Sequence, residues 1–385
     1  MRQRARHVVI VLLTIGLLAY FLRDANMSEV WAETRRADPR LLLLALVATG
    51  LTYVLRAYRW QYLLAPIGPT RFRTAFRTTV IGFAATSLLP ARAGEVIRPY
   101  LLARREGLSA TAAFATIIIE RLLDLLTVLI LFALFVLLGA SGVIVGDPSQ
   151  FARVKFGGML AAVGAIVASA VLFALAGHPE RLGRLTQGIE RFLPGAIARA
   201  AARFVETFAQ GLAVMRQPGQ LAAALVLSFP LWLSIAAGIW LTSRAFHITF
   251  PYSASFLVMT ILVVGVAMPT PGAVGGFHAA YQIAVQTFLG ASTDRAVGGA
   301  IVLHAISFLP VAIVGVLFMM SEGITLSGAR KLAESASEER DGTTSASPPG
   351  SEPRRGAERQ GGQGRPSAQV RPNVVQPASA RRGDR

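Results

Sequence analysis

Apolar residues come in long blocks along this chain, separated by short polar and basic connections. Residues 41–64, 112–138, 156–176, 221–241 and 297–320 are each long enough for a bilayer crossing, which takes about 20 apolar residues in helical form. Residues 8–22 are near the lower limit. Arg2, Arg4 and Arg6 precede that block, as in a signal peptide, but no small-x-small cleavage pattern follows it, so it reads as an uncleaved anchor.

Two further apolar stretches are interrupted. Residues 74–89 run into Pro90 and Gly94 before a short piece at 96–102, and residues 252–268 run into PTPGAVGG at 269–276 before a piece at 277–289. Each reads as a hairpin that enters the membrane and turns inside it. Pro269, Pro271, Gly272, Gly275 and Gly276 then serve the backbone turn. Residues 178–218 are polar and basic, yet Ile197, Ala201, Phe204, Phe208, Leu212 and Met215 fall at helical spacing opposite Arg199, Arg203, Glu206 and Gln210, which predicts an amphipathic helix on the membrane surface. Residues 326–385 are rich in Ser, Pro, Gly, Arg and Gln, a composition unable to bury a core, and are expected to form a disordered basic cytoplasmic tail.

Laying residues 41–138 over 221–320 brings Trp60 onto Trp240, Thr74-Ala75 onto Ser253-Ala254 and Pro90 onto Pro269. After a short insertion, Gly107-Leu108-Ser109 falls on Gly290-Ala291-Ser292 and Arg121 on His304. Alignment of apolar spans alone does not explain shared Pro/Gly breaks, so the pattern reads as a duplication, repeat one in 8–140 and repeat two in 156–320. Arginines at 56, 59, 71, 73, 77, 92, 98, 104 and 105, and those of the amphipathic linker, mark cytoplasmic connections; the loop at 141–155 has few and belongs outside. The loop at 23–40 carries four arginines beside Asp24, Glu29, Glu33 and Asp38 and goes outside on parity. An odd number of crossings per copy makes the repeats inverted. The predicted fold class is an all-α polytopic membrane protein, about six transmembrane helices plus two re-entrant helical hairpins in inverted repeats, spanning residues 1–325, with both termini cytoplasmic. In such an architecture, broken helices from the two halves meet near the midplane and their ends face the substrate.

Charge singles out the candidate site. Glu120, Arg121 and Asp124 lie inside an apolar block, where each costs about 2.5–3.5 kcal/mol near the centre of a lone span; they are expected to face inward. Glu120 and Asp124 are four apart on one helical face, and Arg121 and Asp124 are three apart, close enough to pair. A local ion pair that fixes helix packing is the competing reading. Arg92, Glu95 and Arg98 stand beside the Pro90/Gly94 break, where guanidinium groups and a half-helix N-terminus suit a headgroup phosphate; ordinary topogenic arginines are their alternative. Arg56, Arg59 and Trp60, at a span end, read as interfacial anchors. His278 and His304 lie in or near the second break and read as packed, hydrogen-bonded histidines.

Composition narrows the chemistry. The chain is 53% hydrophobic and 15% charged, too apolar for a soluble domain of this length to keep its surface wet. The formal charge of +17 comes almost wholly from arginine scattered among short loops and the tail, a pattern for topology and anionic headgroups and not for nucleic acid. No cysteine is present, which removes disulfides and thiolate metal sites. There is no Walker loop, no zinc-binding His-x-x-x-His helix and no dinucleotide fingerprint, so neither cofactor nor metal is expected.

Four segments, LRAYRW (55–60), LLPARAGEVIRPYLL (88–102), IIIERLLDL (117–125) and PTPGAVGGFHAAY (269–281), resemble the lysylphosphatidylglycerol synthase transmembrane family, also seen as the flippase-like domain of the bacterial multiple peptide resistance factor. The resemblance covers roughly residues 6–321. The fourth segment departs from the pattern: His278 stands where many members carry a glutamate. The resemblance implies movement of an anionic or aminoacylated lipid, or of a polyprenyl-linked sugar, between leaflets of the plasma membrane. The aminoacyltransferase domain of the full-length synthases is not expected here, so the chain is read as a translocase and not an enzyme. An integral-membrane glycosyltransferase using a polyprenyl-phosphate donor, with its acid among Asp24, Glu29, Glu33 and Asp38, and a non-transporting scaffold of envelope assembly stay open, as do a second copy or an envelope-synthesis enzyme as partner.

Overall fold

The computed structural model describes residues 2–89, 92–138, 142–177, 211–268 and 270–323. The amphipathic segment expected at 178–210, the tail beyond 323, Pro90 and Pro269 lie outside them. Regular structure among the described residues is helical. The helices are α1 (Arg2–Leu22), α2 (Met27–Arg36), α3 (Pro39–Leu64), α4 (Phe72–Leu88), α5 (Gly94–Glu106), α6 (Ala110–Leu138), α7 (Pro148–Gly177), α8 (Pro218–Ala245), α9 (Ser255–Ala267), α10 (Gly276–Leu289) and α11 (Thr293–Ser321). α3, α7, α8 and α11 contain stretches long and apolar enough to cross a membrane. α6 matches them in length but is interrupted by Glu120, Arg121 and Asp124.

The loop expected at 23–40 contains α2, started by Asn26, whose side chain accepts from the Ser28 amide. α2 packs on α11. Asp38, followed by Pro39, caps α3 in the same way through the Arg40 amide, and Asp147 starts α7 by accepting from both the amide and hydroxyl of Ser149. These side chains satisfy backbone donors that a helix start leaves without partners.

Two sets of helices repeat one pattern of neighbours. α4 packs on α5 and α5 on α6, as α9 packs on α10 and α10 on α11. Across the sets, α3 lies along α8, α4 against α11 and α9 against α6. Both broken pairs cross at glycines. A Cβ on Gly94 would lie on the Gly82 carbonyl oxygen, and one on Gly276 would stand 2.5 Å from the Gly265 carbonyl oxygen. Only residues without side chains permit this approach of α4 to α5 and of α9 to α10.

The core follows the same division. Phe246, Phe277, Tyr281 and Phe288 pack with Phe21 of α1 and Phe132 and Phe135 of α6; a second cluster joins Trp60, Leu63, Leu64, Leu102 and Ile119. Leu212 and Met215, expected on a membrane-surface stripe, are buried in that second cluster on the short 3-10 turn Leu212–Arg216. Apolar side chains left exposed, among them Met159, Val163, Ile166 and Val167 on α7 and Leu43, Leu44 and Val47 on α3, give the molecule an oily outer belt that is stable against lipid and unfavourable against water.

Candidate functional site

α3 and α6 each put charge where an isolated span would not carry it. Arg56 and Arg59 are three apart on α3, Glu120 and Asp124 four apart on α6, and helical spacing turns each pair onto one face. Packing brings the two faces together. Arg59 Nη1 donates to Asp124 Oδ1 at 2.7 Å, and its Nη2 lies 3.4 Å from Glu120 Oε1. Arg56 Nη1 reaches Glu120 Oε1 and Asp124 Oδ2, both at 3.3 Å. Arg98, from α5, donates to Glu120 Oε1 at 2.9 Å. Arg121 adds Nη2 to Glu120 at 3.2 Å and Nη1 to Asp124 at 3.5 Å. Arg59, Arg98 and Glu120 are essentially inaccessible, whereas the Arg121 side chain is 42% exposed.

Neutral partners hold the cage in place. The Arg98 guanidinium lies over the Trp60 ring at 3.8 Å, a geometry in which the ring face attracts the cation. The Trp60 indole N–H donates to Thr116. From α8, the Trp232 indole donates to Asp124 Oδ1 at 2.9 Å, and Ser228 accepts from Arg59 at 2.8 Å. Arg56 and Arg59 are therefore not interfacial anchors. They are buried ligands of two carboxylates more than sixty positions away, which no local pattern along α3 reports. The available signal was the opposite charge of two same-face pairs on different helices.

The cage forms one wall of a cavity of about 990 Å³, bounded by both sets of helices. Arg56, Arg98, Arg121 and Asp124 line it together with Arg92 and Glu95 from the tip of the first broken pair, and Thr52, Thr86 and Ser87 add hydroxyls. Elsewhere Met259, Leu262, Val263, Phe277, Leu303 and Phe308 make the lining apolar. Half-helices α5 and α10 both begin at this space, with Gly94, Glu95 and Phe277 in its walls, so their positive dipole ends point toward it.

The two tips touch. Arg92 has φ +54, donates through Nη2 to the Val266 carbonyl at 2.6 Å and lies 3.6 Å from Glu95. Val266 belongs to the last turn of α9, where carbonyls lack helical partners. Glu95 is thus a cavity-lining partner of Arg92 and stands outside the cage. In the second tip, His304 Nε2 lies 2.8 Å from the Gly272 carbonyl, Gly272 and Ala273 both have positive φ, and Gly272 lies close to the Ser87 carbonyl. The His278 ring lies 4.6 Å from that of His304, tilted by 34°, with Phe21 and Phe277 against His278 and Phe308 stacked on His304. Gly94 and Gly275 shape the tips; Pro271 and Gly272 line the cavity. Among the described residues no group of acidic, histidine or cysteine side chains could hold a metal ion.

A family model described as the lysylphosphatidylglycerol synthase TM region matches residues 7–315, and the chain belongs to that family. It is similar to the glycosyltransferase AglD of Haloferax volcanii, 26% identical over 87% of this chain and 57% of that protein, so it spans little more than half of that relative's length. A UPF0104 membrane protein of Methanothermobacter thermautotrophicus is 24% identical over 81% of this chain and 94% of its own length. A UPF0104 membrane protein of Methanocaldococcus jannaschii is 26% identical over 34% of this chain. With its apolar helices, family membership makes this a multi-pass membrane protein.

Proposed function

We propose that this member of the lysylphosphatidylglycerol synthase transmembrane family is a lipid translocase, moving an anionic or modified phospholipid, or a polyprenyl-linked lipid, between leaflets of the plasma membrane. The observation that carries the reading is a single cavity with an arginine cage in one wall and apolar side chains in the rest, the division of an amphiphile into headgroup and chain. Buried charge in a membrane protein is costly unless paired and marks a polar path. The paired glycine crossings and the matching helix neighbours support an inverted duplication, repeat one in 8–140 and repeat two in 156–320. α1, α3, α6, α7, α8 and α11 are then the crossings, and α4–α5 and α9–α10 are hairpins entering from opposite sides, the first from the cytoplasm. Both termini are cytoplasmic. Irregular backbone at the tips is tolerated because it lines a cavity.

Reconstitution in vesicles with a fluorescent anionic phospholipid tests this reading. Wild type is expected to move the lipid faster than empty vesicles, and Arg121→Ala, which removes the most accessible cage cation, to slow that movement. Equal rates in the two proteins reject the site, and a wild-type rate no better than empty vesicles rejects the function.

The name of the Haloferax relative suggests glycosyl transfer as a second reading. The acidic residues of the loop at 23–40 weigh against it. Asp24 pairs with Arg23 at 2.7 Å, Glu33 with Arg36 and Arg295, and Asp38 caps α3, so three of the four are held in structural roles. A scaffold with a sealed interior is disfavoured by the cavity itself.

A further inference from the structure

Counting charge in the cavity wall narrows what headgroup can occupy it. Arg56, Arg92, Arg98 and Arg121 face it, against two carboxylates, Glu95 and Asp124. Behind them Arg59 and Glu120 cancel each other, so the count is the same for the wall alone and for the wall with its backing. The surplus is two positive charges. Arg56 and Arg98 are buried, where charge is unfavourable unless matched, while Arg92 and Arg121 are partly exposed.

Hydrogen bonding shows the same shortfall. Arg56 Nε and Arg98 Nε and Nη2 are buried donors without a protein acceptor, on side chains that line the cavity; Arg59 Nε and Nη2 are further donors without a bond behind them. Against these donors, Glu120 Oε2 is the one cage carboxylate oxygen left without a bond. Both Arg56 and Arg98 are more than nine-tenths buried. The guanidinium groups are held by the carboxylates on one edge and lack an acceptor on another.

Resting on the translocase reading, we propose that the cage receives a phosphate group carrying two negative charges, a lipid phosphomonoester or a diphosphate diester, in preference to the single charge of a glycerophospholipid diester. Two charges neutralise the wall, and the extra oxygens accept from the guanidinium groups of the lining arginines. A phosphodiester leaves one charge unmatched. Free phosphate offers the same oxygens, but the apolar part of the lining favours an acyl or prenyl chain on the same molecule.

Full-length protein in detergent, at pH 8, distinguishes these sources. The probes are dodecyl phosphate, a short-chain phosphatidylglycerol of similar apolar size, and inorganic phosphate, with affinity read from the ligand-dependent rise in unfolding temperature. Dodecyl phosphate is expected to bind about tenfold more tightly than either of the others, the size of one additional charge-assisted contact. In Arg98→Gln that preference shrinks to about twofold or less. Because the second ionisation of a phosphomonoester lies near pH 6, its advantage is also expected to fade at pH 5. A farnesyl diphosphate diester keeps its advantage there, since each of its phosphates holds one charge. Equal affinity for dodecyl phosphate and phosphatidylglycerol overturns the proposal, as does inorganic phosphate binding as tightly as the amphiphile, or a preference unchanged in Arg98→Gln. If Arg98→Gln fails to fold, Arg121→Gln carries the same test from the exposed side. In vesicles, transport of phosphatidylglycerol with no preference for the monoester sinks this inference alone; absence of any lipid movement sinks the translocase reading, while the binding preference is measured independently of it.

Discussion

Arg59 and Asp124 meet at 2.7 Å inside the protein, where Trp232 also donates to Asp124 and Ser228 accepts from Arg59. The pair joins α3 to α6 and α8 at the back of the cavity wall. Removing one partner of a buried pair leaves an uncompensated charge, costing about 3–5 kcal/mol. Asp124→Ala is expected to lower the unfolding temperature in detergent strongly. The double change Arg59→Met/Asp124→Leu is expected to recover much of that loss, since apolar replacements of similar volume avoid the charge penalty, yet not to restore lipid movement. Full recovery of transport in the double variant would make the pair purely structural.

The glycine crossings make a separate stability prediction. Gly94→Ala places a methyl group on the Gly82 carbonyl and is expected to prevent α4 and α5 from closing; Gly276→Ala does the same to α9 and α10. Gly50, in the middle of α3 with nothing near its missing Cβ, is the control, and Gly50→Ala is expected to fold with unchanged or slightly raised stability, following the better helix propensity of alanine. Yield of monodisperse protein and thermal unfolding check all three.

Those glycines also show how much could be read from sequence. Gly94 and Gly276 were visible as helix breaks, and the spans were visible as apolar blocks, because both signals are local. The crossing partners Gly82 and Gly265 were not, since a glycine in an apolar helix looks like any small residue until another backbone lies on it. The cage divides the same way. Glu120, Arg121, Asp124 and Arg98 stood out as charges in apolar company. Arg56 and Arg59 were hidden by an ordinary role for arginine at a span end. Their assignment depends on which face of α3 meets α6, and that is a property of packing across more than sixty positions. Ala280 lies four residues beyond Gly276 as Arg98 lies four beyond Gly94, so the α9–α10 crossing lacks the cation that the α4–α5 crossing carries.

Contact between the tips predicts a gate. Arg92 Nη2 donates to the Val266 carbonyl between two walls of the cavity, and loss of one such charge-assisted bond costs about 1.5–3 kcal/mol. Arg92→Ala is expected to let the tips separate. Because the chain has no cysteine, spin labels at Leu89→Cys and Met268→Cys report the separation without background. The distance distribution is expected to broaden and shift outward in Arg92→Ala, and Arg92→Lys to show an intermediate shift. Identical distributions in all three proteins would remove Arg92 from gating.

His304 sets the shape of the second tip. Its Nε2 lies 2.8 Å from the carbonyl of Gly272, and Gly272 and Ala273 both hold positive φ. Two such residues in succession need an external tie, since alanine disfavours that region by about 1 kcal/mol or more. As the carbonyl can only accept, the imidazole supplies the proton, which fixes its Nε2-protonated tautomer. His304→Gln keeps an N–H donor and is expected to retain most stability. His304→Phe keeps the ring contacts with Phe277 and Phe308 but leaves the carbonyl unpaired, at a cost of about 1–3 kcal/mol. Thermal unfolding of the two variants separates the roles: equal stability would assign His304 to aromatic packing alone, whereas a clear deficit in His304→Phe assigns it to the backbone of the tip.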